Sequence, residues 1–150
     1  LPSIPLMDKA REWGISVNAI PGNFEFYGYF SDQKKEIAMA TEEESVFFHE
    51  LSHAAHARIT KREKYMSAKR WEKEIVAELS AATLCRMVGK NSKHLGNSYK
   101  YIRHYSEQAG LTPIKGILSV LGTVEKVLSQ ILQSQSPKPL IEYPLVVCET

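Results

Sequence analysis

The stretch Ser45-Val-Phe-Phe-His-Glu-Leu-Ser-His-Ala-Ala-His-Ala-Arg58 constrains this chain more than any other. Glu42, Glu43 and Glu44 precede it, where negative side chains suit the positive end of a helix. Val46, Phe47, Leu51, Ala54, Ala55 and Ile59 supply apolar positions at helical spacing. His49 and His53 are four residues apart, so on a helix they stand one turn above the other and both imidazoles can reach one ion.

Glu50 adjoins His49 in sequence but lies about 100° around the helix axis from it. It is therefore poorly placed as a third ligand and well placed to address a water held by the ion. His49-Glu50-Leu-Ser-His53 is the zinc hydrolase pattern of two ligands with a general base between them.

A third ligand is expected from a second helix, Ala68 to Val88, ending at Gly89 as a candidate C-cap. Trp71, Ile75, Leu79, Ala82 and Met87, broadened by Val76, Leu84 and Val88, make its expected apolar stripe. Glu74 and Glu78 share a face four residues apart. If that face meets His49 and His53, Glu74 completes a His, His, Glu shell for Zn2+ with one position left for water. Glu78 can then accept the proton of the non-ligating nitrogen of His49 or of His53, which sets the tautomer and raises ligand basicity.

His49-Glu50-x-x-His53 followed by Glu74-Ile-Val-Ala-Glu78 resembles the gluzincin arrangement. More closely, Phe-Phe-His-Glu-Leu-Ser-His together with Glu-Ile-Val-Ala-Glu-Leu-Ser-Ala-Ala-Thr-Leu-Cys resembles the zincin-like metallopeptidase domain of ArdC-type antirestriction proteins and related polyvalent proteins of plasmids and phages. The resemblance extends weakly over residues 5 to 110. Where that family often carries a first acid before Ile-Val-Ala-Glu, this chain has Lys73, a change of local charge that leaves Glu74 in place. The resemblance implies an α+β, zincin-like fold, with a small antiparallel or mixed sheet packed on a mostly helical body and the His49 helix central. It further implies a protein or peptide substrate held against an edge strand, and DNA association through the remainder of a longer parent protein. Tyr101 matches the tyrosine of a Tyr-Ile segment in that family, which implies a phenol donating to the oxyanion, with Tyr99 and His104 as nearby substitutes and packing as the plainer role.

A single domain over residues 1–150 is expected, excised from a longer protein, with 133–150 serving as a linker and then a C-terminal strand or tail. Hydrophobic residues at 43% and charged residues at 24% suit a folded core rather than disorder. A net charge of +2 is too small to argue for nucleic acid, so distribution matters. Arg58, Lys61, Arg62, Lys64, Lys69, Arg70 and Lys73 gather between the two helices, either as a solvated face or as a rim favouring acidic peptide or phosphate. Cys85 and Cys148 are far apart and form no C-x-x-C, which fits a reduced, cytoplasmic protein. No apolar run approaches membrane-spanning length.

Along the chain, Leu6 to Trp13 reads as a short helix ended by Gly14, then strands follow at Ile15–Ile20, Phe24–Phe30 and Glu36–Ala40. Tyr27 and Tyr29 are candidates for a cleft lining. Residues 60–67 read as a connection, 90–96 as a polar link, Tyr99–Gln108 as a helix, and Thr112-Pro113 as the start of a last helix to Leu132. Ile117, Leu118, Leu121, Val124, Val127, Leu128, Ile131 and Leu132 form the expected packing stripe of that helix. His56 is a weaker ligand candidate than Glu74, and His94 and His104 are weak candidates for a direct catalytic role. A fourth protein ligand from His56 or His104 would mark the alternative, a noncatalytic interaction or DNA-protection module with a structural zinc site.

Overall fold

The computed structural model describes residues 4–22, 27–89 and 95–133. A short helix α1 (Met7–Glu12) is ended by Gly14 at φ +70°, a left-handed conformation that glycine adopts without steric penalty. Strands β1 (Ser16–Ala19), β2 (Gly28–Ser31) and β3 (Glu36–Met39) follow, matching the expected strands within their cores. The first half of the expected second strand, residues 24–26, lies outside the described residues.

The sheet order is β1-β3-β2. β3 runs parallel to β1, with Val17 opposite Ile37, and antiparallel to β2, with Phe30 opposite Ile37. A turn at residues 32–35 joins β2 to β3, with Lys35 at φ +51° and its ammonium 2.9 Å from Asp32. β3 is central and carries buried Ile37, Ala38 and Met39, while β2 and β1 are the edges among the described residues.

The helical body comprises α2 (Glu44–Ile59), α3 (Arg62–Ser67), α4 (Arg70–Met87), α5 (Leu95–Gln108) and α6 (Pro113–Leu132). α2 packs on β2 and β3 through one side and on α4 and α6 through the other, so it is enclosed nearly all round. Its composition permits this. Phe47, Phe48 and Leu51 fill the core, while Ser52, Ala54, Ala55 and Ala57 let neighbouring helices approach closely. A mixed sheet on a helical body, with the His49 helix between them, is a zincin-like α+β architecture.

Three expectations need correction. The connection at 60–67 contains the helical turns of α3, whose Tyr65 is buried. In α4 the core face is Ile75, Val76, Ala77, Ser80, Ala81 and Leu84, whereas Met87 is exposed. The stripe of α6 runs through Gly116, Val120, Val124, Val127 and Ile131, and leaves Leu118 and Leu121 exposed, because α4 and α5 press on the side that carries the glycine. Thr112 caps α6 as expected, its hydroxyl accepting from the Lys115 amide at 3.3 Å. Beyond Gln133, the expected linker and tail lie outside the described residues.

Candidate metal centre

α2 and α4 pack side by side and bring His49, His53 and Glu74 together. His49 Nε2 is 3.1 Å and His53 Nε2 is 3.4 Å from the same oxygen, Glu74 Oε2. The ligand atoms of the three residues all lie within 4.8 Å of one another. A tetrahedral zinc with bonds of about 2.0–2.2 Å separates its donors by roughly 3.3–3.6 Å, so this spacing fits the ion. Two imidazoles and one carboxylate also suit zinc chemically.

The far sides of both rings are engaged. Glu78 Oε2 lies 2.8 Å from His49 Nδ1, and its other oxygen accepts from the Ser98 hydroxyl at 2.7 Å. Between the two histidines that the sequence left open, Glu78 therefore supports His49. His53 Nδ1 instead faces the Tyr65 hydroxyl at 3.1 Å. With Nδ1 partnered on both rings, both Nε2 atoms are turned toward Glu74.

Glu50 is buried against the donors on the sheet side of α2. The Phe30 amide of β2 donates to its carboxylate. Gly28 makes this approach feasible: a Cβ there would come within 2.9 Å of the Ala38 carbonyl and of Val46, and within 3.5 Å of Glu50 Cγ. Burial raises the Glu50 pKa, against the lowering pull of His53 and His49. For His49, burial alone would lower the pKa, but hydrogen bonds to Glu74 and Glu78 outweigh it and carry it to about 10. Glu74 and Glu78 are held below the usual carboxylate range; burial opposes this, and their hydrogen bonds to the histidines prevail.

Tyr101 reaches the cluster from α5. Its hydroxyl donates to Glu74 Oε2 at 2.9 Å and its ring stands edge-on to His49 at 5.6 Å. Burial, reinforced by Glu74, raises the phenol pKa, so it stays a donor.

Among the described residues no fourth donor joins the three. His56 is buried with its ring edge against Tyr65, and His104 pairs with Gln108 on the surface. His94 lies outside the described residues. Tyr27 is exposed and Tyr29 half-buried. Of the basic group, Arg58 stacks over Trp13, Arg62 pairs with Asp32 and Lys73 sits over Tyr65, while Lys61, Lys64, Lys69 and Arg70 face solvent.

Sequence reasoning missed Tyr65, Ser98 and the Phe30 amide. An aromatic residue directly after the charged run Lys61–Lys64 was the one available signal for Tyr65. No helix among the described residues is long and apolar enough to cross a membrane. Comparison with protein-family models, with curated proteins and with solved structures found no match to the chain.

Proposed function

We propose that the chain is a zinc-dependent endopeptidase, with His49, His53 and Glu74 holding the ion and Glu50 as general base. The observation that carries this is the burial of Glu50 beside a three-donor cluster that lacks a fourth protein donor among the described residues. A shell of that kind keeps an open position, as catalytic zinc sites do and closed structural sites do not. When bound, zinc supplies a Lewis acid that polarises the peptide carbonyl and acidifies the attacking water.

The chain's own groups do the rest. Glu50 accepts the water's proton and passes it to the departing amine; its raised pKa brings it nearer neutrality, where a carboxylate can both take and return a proton. The Tyr101 hydroxyl, kept protonated, turns from Glu74 to the developing oxyanion. Among the described residues β2 lies at a sheet edge and donates its Phe30 amide to Glu50, so an extended peptide pairing with that edge would pass close to the base. Backbone pairing grips a substrate with little regard for its side chains. A DNA-related or antirestriction setting for the parent protein rests on the resemblance alone, and a cytoplasmic setting on the two widely separated cysteines.

The test is metal content and hydrolysis together. The chain purified without chelators is expected to carry about one zinc and to cleave an unfolded protein substrate. Chelation should abolish cleavage and added zinc restore it. A metal-free preparation that takes up no zinc would overturn the proposal.

A further inference from the structure

The two histidines of the cluster are supported unequally. Behind His49 stands a carboxylate, Glu78, braced by Ser98. Behind His53 stands a phenol, Tyr65, from the short helix between the two principal ones. We propose that Tyr65 is a positioning residue for His53: its hydroxyl accepts the Nδ1 proton and so presents Nε2 to the ion, a role that rests on the zinc-peptidase reading above.

Tyr65 is built to hold still. It is only 7% exposed. The Lys73 ammonium lies 4.9 Å over its ring, within cation–π range, and the His56 ring meets it edge-on at 5.2 Å. The Lys73 ammonium thus holds the tyrosine in place, whereas a carboxylate over the ring face would repel it. Glu50, Glu74 and Glu78 already crowd the centre with carboxylates, and a fourth behind His53 would add to their repulsion.

Tyr65→Phe keeps the ring, the cation above it and the histidine beside it, and removes only the acceptor. Zinc affinity, measured by competition with a chromophoric chelator, should fall about tenfold, the lower end of what loss of such a partner causes. Nuclear magnetic resonance of the zinc-loaded chain supplies a readout independent of activity. In the parent, the His53 Nδ1 proton should be protected from exchange and close to the Tyr65 ring protons; in the variant it should exchange rapidly. Unchanged affinity and unchanged exchange in a zinc-binding parent and variant would overturn the role of Tyr65 and leave the metal centre standing. A parent that binds no zinc would overturn both. If the variant fails to fold, the parent resonance decides: an unprotected Nδ1 proton refutes the role.

Discussion

Raising the pH should tighten zinc binding, because a proton on His49 competes with the ion. His49 is flanked by Glu74 at 3.1 Å and Glu78 at 2.8 Å, and its pKa stands at about 10. Zinc requires the neutral imidazole. In the metal-free chain the protonated imidazole is favoured at pH 7, so binding must displace that proton. Displacing one proton makes the apparent association constant rise with pH, by up to about tenfold per unit while His49 stays protonated in the metal-free chain. Glu78→Gln keeps an acceptor behind His49 but removes one of the charges that hold the proton. Its intrinsic affinity falls, yet so does its proton cost, so the loss relative to the parent should be larger at pH 9 than at pH 7. Titration calorimetry in two buffers of different ionisation enthalpy counts the protons released. The parent should release more than the variant at pH 7.5, and protons from any source common to both cancel in the difference. Equal proton counts together with equal pH slopes would refute a charged His49 as the competitor. In the metal-free fold the sign reverses. A raised histidine pKa contributes stability that is full below about 6.5 and is lost as pH rises through about 10.

His56 should act in the acid range. Burial, with His53 and Lys73 nearby, lowers its pKa to about 4. Its neutral form is favoured on folding, so its contribution is present above about 6.5 and is lost as pH falls toward 4, about 3 kcal/mol in all. Denaturant titrations of metal-free parent and His56→Leu should diverge in slope over that window, and parallel curves would contradict the assignment. A Cβ on Gly116 would lie 2.1 Å from Ser106 Oγ and 3.0 Å from its Cβ, so Gly116→Ala should lose about 1–3 kcal/mol by overpacking. Adding Ser106→Ala should recover part of this in thermal unfolding, and an undiminished loss in the double variant would place the strain elsewhere.

Local spacing made much of the site legible. His49 and His53, and Glu74 and Glu78, are each four residues apart on strongly helical segments, so the faces they share follow from helix geometry alone. The match of α2 to α4 needed one further assumption, that two faces with complementary chemistry meet, and they do. Tyr65 and Ser98 were not legible, because their value depends on where α3 and α5 cross the cluster, a tertiary relation with no period in the sequence. Strand existence was readable from alternation, but the β1-β3-β2 order was not; pairing depends on crossovers that local pattern does not record. The α6 stripe was legible in part: Val124, Val127 and Ile131 are buried and Ile117 and Leu128 pack on the core. Leu118, Leu121 and Leu132 are exposed because Gly116, the residue that lets Ser106 approach, and Val120 share the core side.

The central claim is that Glu50 moves the proton while His49, His53 and Glu74 hold the ion. Glu50→Gln tests it most directly, since glutamine preserves size and the hydrogen bond from Phe30 but cannot accept a proton as a carboxylate does. Zinc occupancy and hydrolysis of an unfolded protein are measured on the same preparation, beside Glu74→Gln. The account predicts near-parental zinc with hydrolysis reduced at least about 100-fold in Glu50→Gln, and loss of both in Glu74→Gln. Hydrolysis by Glu50→Gln at the parental rate and equal zinc occupancy would contradict it.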